Sequence, residues 1–347
     1  MSALKIVLYI IGIVITLFLL FLLYFTVRDY NPDEKQVIES NRDASELQKD
    51  TFDILIWNIG YAGLGENMSF FYDGGDRVRT TKERAKEDLR GIVKEISAKR
   101  HSDFILLQEV DLSSKRSYHI NQFRQINAHL NEFSGYFALN YHVQFVPVPP
   151  TSPMGKVKSG LATFTRFSPQ EVTRYDFPGK YAWPKSLFML DRCFLVSRFR
   201  LSNNKELLVI NTHNSAYDNG KLKEQEMSYL KDYLLKEYEK GHYIITGGDW
   251  NQYPPGSDTL PEIRKRFPVN QSSVIGDDFM PSGWQWMFDP DTATNRSLDK
   301  PLNDNTQKSI IDFYLVSPNI VPLEVKTSDL NFKYSDHQPV SLRVKLK

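Results

Sequence analysis

Short apolar runs recur from residue 53 to the end of the chain, and most are rich in β-branched and aromatic residues, which predicts β-strands. The clearest runs, in chain order, are DILIW, DFILLQEV, YFALNYHVQFV, SGLATFTRF, SLFMLDRCFLVSRFRL, KELLVINTH, HYIITGGDW, SIIDFYLVS, VPLEVKT and PVSLRVKL. Amphipathic segments at 81–100, 116–132 and 218–241 predict helices, the last with Asp218 or Asn219 as its N-cap. The pattern predicts an α/β fold, a four-layer α/β/β/α sandwich of two mostly antiparallel sheets flanked by helices.

The N-terminus has a different pattern, because residues 6–27 contain no charged side chain. About 22 apolar residues are enough to cross the hydrocarbon core of a membrane as one helix. No small-x-small cleavage site follows in YFTVRDYNP, so the run favours an uncleaved single-pass transmembrane anchor over a signal peptide. Lys5 and Arg28 flank the run on opposite sides and leave its orientation undecided. The very short tail favours placing the rest of the chain on the extracytoplasmic side.

The remaining sequence divides into two parts. Residues 28–50 are polar and rich in charge, which suits a stalk above the membrane. Residues 51–347 are expected to form one domain, because strands continue throughout without a linker. The predicted organisation is therefore a tail at 1–5, the anchor at 6–27, the stalk and this domain. A stretch at 252–308 is longer than an ordinary connection, and loops of that length usually have a function.

Charge and cysteine content narrow the class of protein. The formal net charge is +1, from 43 Lys and Arg against 42 Asp and Glu, so no basic excess indicates a protein that coats DNA. The single cysteine, Cys193, cannot form an intrachain disulfide, and no Cys/His spacing typical of structural zinc is present. Because its neighbours are apolar, Cys193 is predicted to be a buried core residue.

Polar residues of one chemical character stand at the ends of several predicted strands. Neighbouring strands often end at the same edge of a sheet, so these side chains are expected to converge on one cleft. Acids, amides and histidines are the groups that hold divalent cations and move protons. The residues at these positions are Asn58, Gln108, Glu109, His213, Asp249, Asn251, Asp312, Asp336 and His337.

Six short motifs around these residues resemble the endonuclease/exonuclease/phosphatase superfamily, which includes deoxyribonuclease I-like nucleases, AP endonucleases, neutral sphingomyelinases and inositol polyphosphate 5-phosphatases. The motifs, in family order, are WNIG, LLQEVD, NTHNSA, GGDWN, IDFYLVSPN and YSDHQPV. The resemblance covers essentially all of 51–347. It implies a membrane-tethered, metal-dependent phosphoester hydrolase, a phosphodiesterase in which an activated water attacks phosphorus in line with the leaving oxygen.

The resemblance implies that three of these residues lie at a metal site. Glu109 is the expected principal ligand, with Asn58 and Asp336 close to the ion. A hard cation such as Mg²⁺ prefers oxygen ligands, and Mn²⁺ is the alternative. Whether one ion or two take part stays open.

Five further residues have catalytic roles implied by the resemblance. Asp249 is expected to orient or deprotonate the attacking water, and Asn251 to hold the phosphate and metal-bound groups. His337 is expected to donate to the scissile phosphate, while Asp312 fixes its tautomer and favours the imidazolium. His213 resembles a second histidine that, in the nuclease branch, contacts its own acid. The stretch expected to supply that acid, NYHVQFVPVPP, contains none, so the partner of His213 stays open.

Arginines and tryptophans are the candidates for substrate contacts. Arg192, in LDRCFL, stands where the family often has a phosphate-contacting arginine, and Arg296 and Arg116 are further candidates. Trp284 and Trp286 stand in the long loop, where they would stack on bases, enter a membrane interface or pack beneath the loop itself. A second insertion, SFFYDGGDRVRT, is expected to line the cleft.

The sequence argues against some branches of the superfamily. Inositol 5-phosphatases characteristically have an arginine soon after GDxN and a PAWCDR segment, and neither is present in GGDWNQYP or NTQKSIIDFYL. A secreted deoxyribonuclease I would be expected to have disulfides, which a single cysteine cannot form within the chain. An AP endonuclease acts on DNA in the cell interior, where a membrane anchor is not expected. The expected partners are the membrane and a phosphoester, either a lipid head group, a nucleotide or a nucleic acid, and no obligate protein partner is inferred. A nuclease is the nearest alternative, and an inactive member that binds phosphate ligands or proteins is the alternative of another class.

Overall fold

The structure is a computed structural model that describes residues 2–216, 220–257 and 274–347. Within these residues the helices are α1 (Ala3–Val27), α2 (Lys82–Ala98), α3 (Gln122–Asn127) and α4 (Lys221–Glu239). The strands are β1 (Lys35–Ser40), β2 (Thr51–Asn58), β3 (Phe104–Asp111), β4 (Ser134–Val146), β5 (Gly155–Thr165), β6 (Glu171–Asp176), β7 (Cys193–Arg200), β8 (Glu206–His213), β9 (Tyr243–Asp249), β10 (Gln285–Met287), β11 (Asn295–Arg296), β12 (Lys308–Ser309), β13 (Asp312–Val316), β14 (Ile320–Thr327) and β15 (Val340–Leu346).

Two mixed sheets contain most of these strands. One sheet has the order β1-β6-β7-β8-β9-β13-β10, and the other has the order β14-β15-β2-β3-β5-β4. β8 pairs with β9 in parallel, and β2 pairs with β3 in parallel. The other pairs described within these two sheets are antiparallel. β11 and β12 form a small separate ribbon.

The alternation of side chains on β2 explains how the sheets pack. Phe52, Ile54 and Ile56 face the other sheet, in a core shared with its strands β8, β9 and β13. Leu55 and Trp57 face the opposite way, into a core shared with α2. Both faces of this strand are therefore buried, as its continuous apolar sequence predicts.

Helices cover the outer faces of both sheets. α2 presents Leu89, Ile92 and Ile96 to the sheet that contains β2 and β3, at the helical spacing seen in the sequence. α4 presents Leu230 and Leu234 to β8 and β9 of the other. The predicted α/β sandwich of two sheets flanked by helices is confirmed, and Cys193 is buried as predicted.

The segment after the N-terminal helix differs from the predicted stalk. Residues 35–40 form β1, which pairs antiparallel with β6 at the edge of a sheet. β1 is polar and mostly exposed, so it lacks the apolar periodicity by which a strand is recognised in sequence. Only residues 28–34 therefore separate α1 from the domain.

The segment at 116–132 is less helical than predicted. The predicted helix at 116–132 contains only the short α3 and a 3-10 turn at Lys115–Ser117, because the polypeptide turns back between them. The predicted N-cap of α4, Asp218 or Asn219, lies outside the described residues.

α1 itself is long and apolar enough to cross a membrane, and most of its side chains are exposed.

Candidate active site

The strands that carry the predicted site residues end at one edge of the sandwich. Asn58 ends β2, His213 ends β8 and Asp249 ends β9. The strand register places His213 beside Asp249, and Asp249 beside Asp312 at the start of β13. Four polar residues that are far apart in sequence thus meet because the sheet topology brings their strand ends together.

Hydrogen bonds attach the loop before β15 to the end of β2. Trp57 Nε1 donates to the carbonyl oxygen of His337 at 2.9 Å, and Ser335 Oγ donates to the carbonyl oxygen of Asn58 at 2.8 Å. The backbone N–H of His337 donates to Ser335 Oγ at 3.2 Å. These buried contacts fix the backbone of His337 relative to the other strand ends.

His337 is held by an acid on each side of its ring. Its Nδ1 lies 2.8 Å from Asp312 Oδ2, and its Nε2 lies 3.7 Å from Asp249 Oδ2. Burial by itself lowers the pKa of His337, but the carboxylates of Asp312, Asp249 and Asp336 outweigh it and hold this pKa well above the usual value. The ring is therefore an imidazolium at neutral pH, with Nδ1 bonded to Asp312 and Nε2 facing the cleft.

Asn295 is a site residue that sequence analysis missed. Its amide nitrogen lies 3.0 Å from His337 Nε2, and a β-bridge joins the two residues. Because an amide presents either nitrogen or oxygen when turned by 180°, Asn295 can accept a hydrogen bond from the imidazolium. In the sequence Asn295 stands directly before Arg296 in the long loop. No strand pattern there indicates a site residue.

Asp249 lies at the centre of the cluster. Its Oδ2 accepts a hydrogen bond from Asn58 Nδ2 at 2.9 Å and lies 3.4 Å from His213 Nε2. Its Oδ1 accepts from the backbone N–H of Asn251 at 2.9 Å, and Asn251 Nδ2 in turn donates to the carbonyl oxygen of Asn214 at 2.8 Å. Asp249 is thus a buried carboxylate, and each of its two oxygens accepts a hydrogen bond.

The acid beside His213 is Asp249, which answers the question that the sequence left open. Burial lowers the pKa of His213 well below the usual value, and the positive charges of Arg192 and His337 lower it further. His213 is therefore neutral, in contrast to His337. Its Nδ1 is buried with no hydrogen-bond partner among the described residues.

Two further acids, Glu109 and Asp336, line the same cleft. Glu109 lies at a bulge in β3, where the pairing with β5 shifts between Leu107 and Val110, and its φ of 55° is in the left-handed region. Burial raises the pKa of Asp336 to about 7, and the neighbouring Glu109 raises it too, while His337 opposes both. Two neighbouring carboxylates form an oxygen donor set that suits a divalent cation.

Glu109 and Asp336 fit a hard metal ion better than the other polar groups here. Gly60 leaves room for one of them, since a Cβ at that position would lie 2.7 Å from Asp336 Oδ1. Asn58 Oδ1 accepts a hydrogen bond from the N–H of Gly60 at 3.0 Å, and its nitrogen donates to Asp249. The predicted place of Asn58 close to the ion stays a prediction beside the two carboxylates.

A second group of possible ligands is already engaged in hydrogen bonding. Asp249, Asp312 and His337 bring potential ligand atoms within 4.8 Å of one another. His337 Nδ1 and Asp312 Oδ2, however, are already hydrogen-bonded to each other at 2.8 Å. This arrangement suits proton transfer better than metal binding.

The cluster opens into a cleft of about 720 Å³ with two chemically different parts. One part is the polar cluster described above. The other, here called the apolar arm, is lined by Tyr141, Val146, Val148, Met154, Phe188 and Leu190. The predicted insertion after Asn58 also reaches the cleft, through Phe70, Tyr72 and Asp73.

The arginines predicted to contact phosphate have different surroundings. Arg192 lines the cleft, and its Nη1 is buried without a hydrogen-bond partner among the described residues. Arg116 stacks 3.7 Å from the ring centre of Tyr61 and pairs with Asp111 at 3.0 Å. Arg192 is thus the one of these two with a donor still available to a ligand.

Arg296 has a structural role that its sequence position did not indicate. The guanidinium is fully buried and donates to the carbonyl oxygens of Leu64, Gly65 and Met68 at 3.2, 2.8 and 3.1 Å. Those bonds fix the loop that follows β2. Arg296 also lines the cleft, and its Nε has no hydrogen-bond partner among the described residues, so a phosphate contact there stays a prediction.

Trp284 and Trp286 do not reach the cleft, and their predicted substrate role is corrected. Trp284 is 9% exposed and packs edge-on against Tyr238 of α4. Trp286 packs edge-on against Trp250 and Phe313, at ring distances of 5.2 and 5.7 Å. Trp250 and Phe313 follow Asp249 and Asp312 directly in sequence, so Trp286 packs against the residues that come after these two acids.

The cleft thus joins buried acids and two histidines in different electrostatic surroundings to an apolar arm. Residues 55–337 match the model of the Endonuclease/Exonuclease/phosphatase family, and the chain belongs to this family. Its members are hydrolytic enzymes that cleave phosphoesters. The match confirms the resemblance seen in the sequence motifs.

Solved structures share the fold at low sequence identity. An endonuclease/exonuclease/phosphatase from Beutenbergia cavernae DSM 12333 is 15% identical with a TM-score of 0.56, over 86% of this chain and 72% of that chain. The human Nocturnin catalytic domain with bound sulfate is 15% identical with a TM-score of 0.53, over 88% and 97%. ANGEL2, a 2',3'-cyclic phosphatase in complex with adenosine-2',3'-vanadate, is 16% identical with a TM-score of 0.54, over 89% and 99%. A comparison with curated protein sequences finds no match.

Proposed function

We propose that this protein is a metal-dependent phosphodiesterase, held at a membrane by α1, that cleaves a phosphoester by in-line attack of water. The observation that carries the proposal is the buried Asp312–His337–Asp249 row, with distances of 2.8 Å and 3.7 Å between its members. An imidazolium between two acids supplies one group that donates a proton and one that accepts it. Hydrolysis of a phosphoester needs both.

Each side chain has a defined part in this reaction. Asp249 orients the attacking water and accepts its proton, because Asn58 and the backbone of Asn251 hold both carboxylate oxygens in place. His337 donates from Nε2 to a phosphoryl oxygen, which offsets the charge that develops in the transition state. Neutral His213 lies beside the same carboxylate and adds a second imidazole contact to the phosphate.

Two side chains outside this row bind charge on the substrate. Arg192 is placed to donate to a phosphoryl oxygen from its Nη1, which has no partner within the described part of the chain. Glu109 and Asp336 would hold the cation, Mg²⁺ with Mn²⁺ as an alternative, and a bound cation there supplies positive charge to the phosphoryl group. The inactive alternative is not favoured, because every predicted acid and histidine is present, and Asp249, Asp312, Asp336, His213 and His337 are buried.

We also propose that α1 is a membrane anchor with the catalytic domain on the extracytoplasmic side. The length and apolar character of Ala3–Val27 support an anchor. The side of the membrane on which the domain lies is a separate question. Protease accessibility of the domain in sealed, right-side-out vesicles tests it, and a domain protected from protease would contradict the orientation.

The metal requirement can be tested on the full-length protein in detergent. Turnover of bis(p-nitrophenyl) phosphate is expected to stop with EDTA and to return with Mg²⁺ or Mn²⁺. Glu109→Gln should raise the Mg²⁺ concentration for half-maximal activity by at least about tenfold, because second-shell or ligand changes typically cost that much. Mg²⁺ should also raise the melting temperature of the wild type by mass action, and this rise should be lost in Glu109→Gln and in Asp336→Asn.

Glu87→Gln provides the matched control, since Glu87 is exposed on α2 far from the cleft. It is expected to leave both the metal dependence and the thermal shift unchanged. Turnover that survives EDTA, together with no thermal shift, would show that the carboxylate pair does not bind the cation. No turnover of any phosphoester would contradict the enzymatic function itself.

A further inference from the structure

The end of α1 is docked on the wall of the cleft. Leu22 and Phe25 of α1 are buried against Leu187, which lies in a short 3-10 helix at Lys185–Phe188. The ring of Phe25 lies 5.5 Å from that of Phe188 and 6.3 Å from that of Phe145. Most other side chains of α1 are exposed, so these contacts single out its last turns.

The same 3-10 helix forms part of the apolar arm. Phe188 lines the cleft, and its carbonyl oxygen accepts a hydrogen bond from Tyr141 Oη, another residue of the arm, at 3.2 Å. Phe188 thus contacts the N-terminal helix on one side and the cleft on the other. The apolar surface is continuous from α1 through Phe188 into the arm.

The linker after α1 is also held against the domain. The ring of Tyr30 lies 5.2 Å from that of His142, and Lys180 Nζ donates to Asn31 Oδ1 at 3.0 Å. Glu34 Oε1 accepts from Tyr229 of α4 at 3.2 Å. With β1 already in the sheet, these contacts leave the domain little freedom to rotate about α1.

Trp183 marks the level of the membrane surface. Its ring is 58% exposed, and its Nε1 donates to Thr26 Oγ1, in the last turn of α1, at 3.1 Å. Exposed indoles prefer the boundary between water and the hydrocarbon core. With α1 in a bilayer, Phe188 and the part of the apolar arm that it lines lie close to this boundary.

From this placement we infer that the substrate is a lipid phosphoester taken from the bilayer that holds α1. The phosphate lies in the polar cluster and the hydrocarbon part enters the apolar arm. Water adds its oxygen to phosphorus, the bond from phosphorus to the oxygen of the apolar alcohol breaks, and that oxygen takes up a proton. The products are the apolar alcohol and the phosphate ester of the head group. The inference rests on the proposed phosphoesterase activity and adds the substrate class.

The docking can be tested with the full chain in vesicles of phosphatidylcholine, phosphatidylglycerol and sphingomyelin in equal parts. Wild type is expected to release head-group phosphate esters, measured by mass spectrometry. Phe25→Ala should lower this release at least about tenfold, because a small misplacement of bound substrate is costly. Its turnover of bis(p-nitrophenyl) phosphate should stay within about twofold of wild type, since Phe25 lies outside the cleft.

Phe18→Ala is the matched control, because Phe18 is a phenylalanine of the same helix that is 57% exposed. It is expected to change neither activity, and flotation of all three proteins with the vesicles checks insertion. Equal loss of lipid and soluble turnover in Phe25→Ala, or loss of neither, would overturn the role of the docked helix.

The arm can be tested without a variant and without a membrane. With phosphatidylcholines kept monomeric in solution, kcat/KM should rise several-fold as the acyl chains lengthen from butanoyl to hexanoyl, because each buried methylene adds affinity. No dependence on chain length, or faster hydrolysis of an oligonucleotide than of any lipid, would overturn the inference. If bis(p-nitrophenyl) phosphate is not hydrolysed either, it is the proposed phosphoesterase activity that fails.

Discussion

Asp249→Asn is expected to lower kcat for bis(p-nitrophenyl) phosphate by about 10³-fold, within the range that a positioned general base contributes. The substitution keeps the shape of the side chain and can keep the hydrogen bond from Asn58, which lies 2.9 Å from Asp249 Oδ2. It removes the negative charge that accepts the proton of the attacking water. The loss should therefore appear in kcat, with a smaller change in KM.

The control for this variant is the same substitution at Asp53. Asp53 belongs to β2 but lies at the opposite end from the cleft, where it pairs with Arg343 at 3.1 Å on the surface. Because surface ion pairs contribute little, Asp53→Asn should keep kcat within about twofold of wild type. If Asp249→Asn, with an unchanged melting temperature, keeps more than about a tenth of the wild-type kcat, Asp249 is not the base.

His337→Ala is expected to cause a loss of similar size, about 10²- to 10⁴-fold, and to remove one limb of the pH profile. Asp312, Asp249 and Asp336 raise the pKa of His337, so its imidazolium persists through neutral pH. Activity that requires the protonated ring is present below this raised pKa and falls as the pH rises through it. The wild-type profile of kcat should therefore have an alkaline limb that His337→Ala lacks.

Asp312→Asn removes the negative charge beside His337 and leaves the histidine in place. Asp312 makes the largest favourable contribution to the raised pKa of His337, through an Nδ1 contact of 2.8 Å. Without that charge, the alkaline limb should move to lower pH, and activity should be retained better in mildly acidic than in alkaline solution.

His213→Gln is the matched histidine variant for the same experiment. His213 is already neutral, because burial lowers its pKa well below the usual value. Its substitution should reduce kcat while leaving the alkaline limb close to the wild-type position. An alkaline limb that is unchanged in Asp312→Asn, or that disappears in His213→Gln, would contradict the assignment of the protonated donor to His337.

The sequence contained most of the catalytic cluster, because strand ends are visible as the point where an apolar run gives way to polar residues. Asn58, His213 and Asp249 could be predicted in this way, since each directly ends its strand. Asn295 could not, because a two-residue strand in a long loop has no periodicity. Its place beside His337 results from tertiary packing.

The packing roles of Arg296 and Trp286 could not be predicted, for one physical reason. Arg296 and Trp286 belong to residue types that serve both ligand binding and packing, and sequence does not tell the two uses apart. The choice depends on whether backbone carbonyls or aromatic rings of distant segments already surround the side chain. For Arg296 these are the carbonyls after β2, and for Trp286 they are the rings of Trp250 and Phe313.

Glu109 has a left-handed backbone conformation, with φ of 55°. At this residue a gain in stability is therefore expected to accompany a loss of function. A side chain other than glycine in this region costs roughly 1–3 kcal/mol, so Glu109→Gly relieves the strain while removing the carboxylate. Thermal melting in the absence of divalent cations is expected to show the variant at or above the wild-type midpoint, with its hydrolytic activity lost. A lower midpoint would mean that the bulge is not strained. Any selection of this protein for heat resistance alone would therefore tend to discard its catalytic power.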